Sequence, residues 1–232
     1  MLKQIPKRLA LTLSLAFFAS SLSAAPSVSV GLNSSELLGG INLSDDSPSA
    51  TVEADWSFSN GAFVGLDCYA SNADLSVSIN TGCDVFAGYF KEIGEKSALS
   101  AEFTHHVYSD GFGGDWDFSD ITLNFHPNQN SIISLNFAED WLNRGYDTQS
   151  IEATTLFSLT PDFNATLSAG VMSTSDSDRV SSLSHAKASL SYFIDRWQLE
   201  AGLVHADEDH TRLLPLDFDN NEVFFKVSYQ LY

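Results

Sequence analysis

Residues 52–68 of the chain, VEADWSFSNGAFVGLDC, decide the fold. Apolar and acidic residues alternate before the Asn60-Gly61 pair, and after it the alternation resumes, with Leu66 and Asp67 on opposite faces. A period of two is typical of a β-strand, and Asn-Gly between two such runs is the strongest short hairpin sequence. This stretch therefore predicts two antiparallel strands joined by a tight turn.

The same alternation continues from Ser27 to the C-terminus, where the chain divides into twelve runs of about ten residues. The linkers between the runs are alternately short and long. The short linkers are 60–61, 92–96, 127–130, 160–164 and 195–196, and the longer, mostly acidic ones are 44–49, 72–81, 109–115, 143–147, 174–181 and 207–221. Short periplasmic turns and longer outer loops are typical of barrels in the bacterial outer membrane.

Aromatic residues on the apolar faces of these runs collect beside the short turns or the C-terminus. They are Trp56, Phe58, Tyr89, Phe125, Phe157, Tyr192, Trp197 and Tyr229. Amphipathic rings belong at the boundary between membrane and water, whereas the core of a soluble sandwich has no reason to gather them at one end. We therefore expect an all-β protein, a transmembrane antiparallel β-barrel of about twelve strands, with apolar side chains facing lipid and polar ones facing the lumen.

The N-terminus predicts an export signal, residues 1–24, ahead of a barrel formed by residues 25–232. Lys3, Lys7 and Arg8 precede an apolar run at 9–18, and small residues follow at 20–25. The alternative is a membrane anchor, but a helix that spans the bilayer needs about twenty apolar residues. Cleavage near Ser23 or Ala24 and delivery to the Gram-negative outer membrane are expected.

The charge of the exported chain excludes one class of partner. Removing the three signal cations from 11 Lys and Arg leaves 8 against 30 Asp and Glu, a formal charge of −22. Nucleic-acid binding depends on cationic side chains that neutralise phosphates, so we expect no nucleic-acid partner. Disorder is also disfavoured, because 44% of the residues are hydrophobic and 12% are aromatic.

The order of these segments resembles the TorF family of outer-membrane porin-like proteins. The resemblance rests on residues 34–72, with a strand reaching Gly40, the stretch LSDDSP at 43–48 and NGAFVG at 60–65, and on DVFAGY at 84–89. It implies an outer-membrane location and a pore, and it supplies no catalytic residue or cofactor. The closing strand, VFFKVSYQLY at 223–232, resembles the C-terminal segment that the barrel-assembly machinery recognises.

Charged residues on the inward faces are candidates to line a pore, and acids predominate among them. They are Glu53, Asp55, Asp67, Asp84, Glu102, Asp120, Glu152, Lys187, Glu200 and Lys226. An open lumen lined in this way favours cations. The alternative is an interior filled by salt bridges with no flow. Barrels of about eight strands are filled by side chains and those of about sixteen are open, so twelve strands do not decide the question.

The two cysteines lie on the strands that flank the second long loop. If the turns at 60–61 and 92–96 fix the hairpins, Cys68 faces Cys83 on the outer surface. We predict a disulfide, which the oxidising periplasm permits, with two separate lipid-facing thiols as the alternative. The same register sets Asp67 opposite Asp84 in the lumen, where water, a cation or a nearby lysine must offset the repulsion.

Metal and catalytic sites are weakly indicated. His105 and His106 are adjacent on a strand, so they point to opposite faces and cannot chelate one ion. Acids at 207–210 and 217–219 could hold Ca²⁺ or Mg²⁺ against lipopolysaccharide phosphates, but solvated loop charge is the favoured interpretation, and no metal site or cofactor is predicted.

No G-x-S-x-G motif is present, and His105 with a cross-strand serine is the one hydrolase candidate. We expect a protein that is not an enzyme and that lets small solutes, with a bias for cations, diffuse through the outer membrane. The alternatives are a non-conducting structural or adhesion barrel and a lipid-modifying enzyme. Membrane lipids, lipopolysaccharide and the assembly machinery are the expected partners.

Overall fold

The computed structural model describes residues 24–38, 41–44, 47–71, 79–110, 116–175, 180–207 and 221–232. Its fourteen strands are β1 Ala24–Asn33, β2 Leu37–Leu38, β3 Ile41–Asn42, β4 Ser49–Phe58, β5 Ala62–Ser71, β6 Ile79–Glu92, β7 Ala98–Asp110, β8 Phe118–Asn128, β9 Ser131–Trp141, β10 Tyr146–Thr160, β11 Phe163–Ser175, β12 Val180–Ile194, β13 Trp197–Ala206 and β14 Asn221–Gln230. The described part of the chain has no helix that is long and apolar enough to cross a membrane.

Twelve of these strands form a closed antiparallel barrel. Each is hydrogen-bonded to its neighbours in the order β1-β14-β13-β12-β11-β10-β9-β8-β7-β6-β5-β4, and β1 closes the ring by pairing with β4 as well as β14. Closure leaves no strand edge without a hydrogen-bonding partner, which a bilayer demands because it offers no water to the backbone. The predicted fold class, an all-β transmembrane barrel of twelve strands, is confirmed.

Short turns join the strands at the end of the barrel that carries the chain termini. The turn between β4 and β5 shows how the sequence makes them. Gly61 has a φ of 92°, and a side chain there would collide with the carbonyl oxygen of Phe90. Asn60 supports the same turn, because its side-chain oxygen accepts a hydrogen bond of 3.0 Å from the Ala62 amide.

Side chains alternate between two environments along the barrel strands. Large apolar side chains cover the outer surface, such as Leu32, Leu203 and Phe225, which are 65%, 59% and 57% exposed. Trp56, Tyr89, Phe125, Phe157, Tyr192 and Trp197 are exposed on the same surface near the short turns. Exposure of this extent is unfavourable in water and expected in hydrocarbon, so the alternation that predicts the strands also orients them toward lipid.

The first outer connection, residues 34–48, differs from the expected strand reaching Gly40. β1 ends at Asn33, and β2 and β3 form a two-stranded hairpin of their own. The Glu36 carboxylate explains the change of direction, because it accepts hydrogen bonds from the side chains of Asn33 and Ser49 at 3.0 Å and 2.7 Å. Leu43, 2% exposed, then packs inside the barrel.

The connection between β9 and β10 is also shorter than expected, at residues 142–145. It is a tight turn in which Asp140, Leu142 and Asn143 adopt left-handed backbone conformations. The Asp140 carboxylate accepts a hydrogen bond of 2.5 Å from the Gly145 amide, and Leu142 is fully buried.

The predicted export signal lies outside the described residues except for Ala24, which begins β1.

Candidate functional site in the barrel lumen

Charged side chains line the lumen on two sides. On one side, which we call the acidic wall, β4–β8 contribute Glu53, Asp67, Asp84, Glu102, His106 and Asp120. On the other side, the mixed wall, β10–β14 contribute Glu152, His185, Lys187, Glu200 and Lys226. Nine of the ten side chains predicted to line a pore lie in these two sets, and Asp55 lies on β4 one inward position nearer the turns.

Three carboxylates face one another directly on neighbouring strands of the acidic wall. Glu53 is the cross-strand partner of Asp67, and Asp67 is the partner of Asp84. Lys226 donates a hydrogen bond of 2.6 Å to Glu53, reaching it past β1, and Ser29 on β1 donates another of 2.9 Å. Lys226 therefore offsets the repulsion at one end of the row.

His106 compensates the other end of the row. Its Nδ1 lies 2.7 Å from an oxygen of Asp84 and its Nε2 lies 2.9 Å from an oxygen of Asp120. An ionised carboxylate accepts hydrogen bonds only, so when Asp84 and Asp120 are both ionised, both imidazole nitrogens donate and the ring is a cation. The ring also stacks on Phe118 at 4.1 Å, and Tyr108 donates to Asp84 at 3.3 Å.

Asp67 is the acid between these two compensated ends. Among the described residues, its carboxylate makes neither a hydrogen bond nor an ion pair. Glu102, which lies nearer the short turn on β7, accepts a hydrogen bond of 3.2 Å from Thr104. The acidic wall therefore presents to the lumen, at Asp67, a carboxyl group that no described residue pairs directly.

The mixed wall holds its acids in separate pairs. Glu152 lies 2.7 Å from Nε2 of His185 and accepts a further hydrogen bond of 3.0 Å from Thr154. Glu200 lies 3.8 Å from Lys187. The ammonium of Lys187 is also 4.5 Å from the centre of the Phe224 ring. Each of the two acids on this side therefore has a direct partner.

A hydrophobic cluster fills part of the lumen on the side of the long loops. It consists of Leu43, Tyr69, Tyr108, Trp116, Phe118, Ala138, Trp141, Leu142, Leu183 and Ala206. These inward aromatic side chains contradict the expectation of polar or small residues there. The sequence does carry one indication of them, because Gly82 is the cross-strand partner of both Tyr69 and Tyr108, and their rings occupy the space where its side chain would lie.

The outer surface carries the two other groups that the sequence singles out. Cys68 and Cys83 are cross-strand partners with Cα atoms 4.1 Å apart, and the structure has their sulfurs bonded. His105 is exposed and its Nδ1 lies 2.9 Å from the Ser119 hydroxyl, but the structure gives this histidine no acidic partner within the described ranges. A serine and a base without an orienting group form an incomplete hydrolytic site.

No cluster of three potential metal-binding side chains occurs among the residues that the structure describes. The acidic run at 217–219 lies outside those residues, as does the run at 207–210 apart from Asp207. Cation binding by these loops therefore stays a prediction.

Three solved structures share the architecture of this chain. A KdgM porin has a TM-score of 0.54, with 12% identity over 88% of this chain and 97% of that one. A NanC porin has a TM-score of 0.55, with 10% identity over 88% and 98%. An outer membrane channel from Pseudomonas putida F1 has a TM-score of 0.51, with 10% identity over 90% and 96%. No protein-family model and no curated protein sequence matches the chain. At these identities the likeness is one of fold, the porin-like transmembrane barrel.

Proposed function

We propose that this protein is a porin-like channel of the TorF family in the Gram-negative outer membrane, through which small solutes diffuse passively with a preference for cations. The composition of the lumen carries the proposal. Among the described inward residues, nine carboxylates, from Glu53, Asp55, Asp67, Asp84, Glu102, Asp120, Glu152, Glu200 and Glu222, outnumber Lys187, Lys226 and the histidines His106, His126 and His185. Acids remain in excess even when all three imidazoles are protonated, and rings of acidic side chains favour cations in channels.

The proposed location in the outer membrane implies which partners the protein has. The exposed apolar surface faces membrane lipids, and the acidic outer loops lie at the level of lipopolysaccharide. The signal peptide at 1–24 directs export, and the aromatic closing strand presents the C-terminus to the barrel-assembly machinery. The fold that this chain shares with outer-membrane porins and channels supports this assignment.

Single-channel recording in planar bilayers tests the proposed passage of ions. Stepwise currents are expected, with a reversal potential in a KCl gradient that shows K⁺ to be more permeant than Cl⁻. Replacing both Asp67 and Asp84 by Asn lowers this preference if these acids border the narrowest part. An unchanged reversal potential in the double variant would place the constriction elsewhere, and anion selectivity of the natural protein would refute the cation preference.

The second candidate function is a non-conducting barrel with a structural or adhesive role. The hydrophobic cluster supports it, because Leu43, Trp116 and Leu142 are at most 2% exposed inside the barrel. Absence of current from folded, inserted protein would favour this alternative.

Hydrolysis of an outer-leaflet phospholipid, abolished by replacing Ser119 with Ala, would favour a lipid-modifying enzyme instead.

A further inference from the structure

A cavity of about 280 Å³ lies at the mixed wall. Its lining consists of Leu37, Glu152, Thr154, Thr166, Ser168, His185, Lys187 and Val204. All except Leu37 are inward residues of β10–β13, and Leu37 belongs to β2 in the first outer connection. Small-molecule sites usually run from roughly 300 to 1,000 Å³, so this cavity suits a solute at the small end of that range.

A buried histidine forms one side of the cavity. The His185 side chain is only 7% exposed, and its Nε2 is engaged by Glu152 at 2.7 Å. Its Nδ1 has no hydrogen-bond partner among the residues that the structure describes, and it exposes almost no surface through which a ligand atom could reach it. The ring therefore shapes the cavity and leaves the hydrogen bonds of a ligand to the other polar groups of the lining.

The charges that border the cavity are already matched. Glu152 is held by His185 and Thr154, and Lys187 lies between Glu200 and the Phe224 ring. A charged ligand would meet an opposite charge and a like charge within the same small space. The balance therefore favours a solute without net charge.

The remaining polar groups of the lining are hydroxyls, from Thr154, Thr166 and Ser168. A hydroxyl both donates and accepts, and so does a hydroxyl on a ligand. Leu37 and Val204 supply an apolar surface for carbon atoms.

We propose that this cavity is a binding subsite for a small, neutral, polyhydroxylated solute of the size of one sugar ring. The proposal names a class of solute for the channel. The role of the subsite in solute passage rests on the proposed channel function, whereas binding of the solute does not depend on passage. Weak binding is expected, because a solute that crosses a channel must also leave it.

Saturation-transfer NMR with D-glucose on the folded, detergent-solubilised barrel tests this subsite. Saturation transfer to glucose is expected, with weaker transfer to D-glucuronate, since Glu152 lines the same cavity as Lys187 and no unmatched cation remains for a ligand carboxylate. Replacing Thr166 with Val, or Ser168 with Ala, removes one hydroxyl without changing the charge. Each should weaken glucose binding by about threefold to tenfold, the usual effect of one hydrogen bond.

Thr122→Val is the matched control, because Thr122 is an inward residue of β8 on the opposite wall, where it accepts a hydrogen bond from Asn136. It should leave glucose binding unchanged. Absence of transfer to glucose in the natural protein, stronger transfer to glucuronate, or equal losses in T166V and T122V would each overturn the subsite. Glucose binding without ionic current would support the subsite and refute the channel, whereas current without glucose binding would do the reverse.

Discussion

The acidic wall and the mixed wall of the lumen accommodate their carboxylates in different ways. On the mixed wall each acid has its own direct partner, Glu152 with His185 and Glu200 with Lys187. On the acidic wall the acids are consecutive across the sheet, and the two groups that compensate them, Lys226 and His106, lie at the ends of the row. The comparison indicates that the acids of one wall are paired within it, whereas the row on the other wall depends on a few contacts at its ends.

The largest difference between the walls is expected for their two histidines. Replacing His106 with Leu removes the donor to Asp120, leaves Asp84 with only the Tyr108 hydroxyl at 3.3 Å, and removes a ring that is 5% exposed. Loss of one partner from a buried ion pair costs about 4 kcal/mol of unfolding free energy. His185→Leu affects only Glu152, which is 37% exposed, so about 2 kcal/mol is expected.

Urea unfolding of both variants in detergent micelles, followed by tryptophan fluorescence, measures this difference. His106→Gln serves as the control, because it restores one donor and should recover part of the loss. Equal destabilisation by H106L and H185L would mean that the row of acids does not depend on His106.

The next effect concerns the back of the acidic wall, where the Cys68–Cys83 pair lies beside the opposed Asp67 and Asp84. A cross-link here holds β5 and β6 together at the point where like charges push them apart. For cysteines 15 residues apart, loop entropy alone predicts a stabilisation of about 3 kcal/mol. The mixed wall needs no such link because its charges are paired.

Reduction, or replacement of both cysteines by Ala, should therefore lower the urea midpoint. Adding Asp67→Asn to the cysteine-free protein should recover part of the loss, because it removes the repulsion. Glu200→Gln, its counterpart on the mixed wall, should not. Two free sulfhydryls in a thiol titration of the unreduced, denatured protein would refute the cross-link.

A smaller contrast is expected for the two lysines. Lys226 donates to Glu53 at 2.6 Å, whereas Lys187 is 3.8 Å from Glu200 and half-exposed. Lys226→Met should cost about 2 kcal/mol, as for a hydrogen bond to a charged group. Lys187→Met should cost about 0.5 kcal/mol, as for a loose, hydrated pair. Thermal unfolding of the two variants in the same detergent would distinguish them, and a larger loss for K187M would contradict the assignment of the walls.

The cross-strand pairing of the acids on the acidic wall could be predicted from local sequence. The contacts that offset their repulsion could not. Period-two alternation and the Asn60-Gly61 turn place Asp67 opposite Asp84 without any knowledge of the closed barrel. The Lys226–Glu53 contact joins residues 173 positions apart and exists only because β1 pairs with both β4 and β14. No local pattern contains that information.

The inward aromatic side chains escaped prediction for a different reason. The sequence argument assigns apolar residues to the lipid face, which holds for most of each strand. Tyr108 and Phe118 break the rule because the loop end of the lumen contains a hydrophobic core of its own, completed by Leu43 and Leu142 from the connections. That core depends on where the connections fold, which the alternation within the strands does not predict.

The smallest expected effect is on ion selectivity. It compares what the acids of the two walls contribute to permeation, whereas the other predictions compare their contributions to stability. Asp67 has no ion-pair partner within the described residues, so Asp67→Asn removes from the lumen an acid that is not paired directly. We expect the ratio of K⁺ to Cl⁻ permeability to fall about twofold, equivalent to about 0.4 kcal/mol. Glu200→Gln removes an acid already offset by Lys187 at 3.8 Å, and it should leave the ratio nearly unchanged. Reversal potentials in a KCl gradient measure both. If E200Q lowered the ratio as much as D67N, cations would respond to the total charge of the lumen, and the division into two walls would have no bearing on permeation.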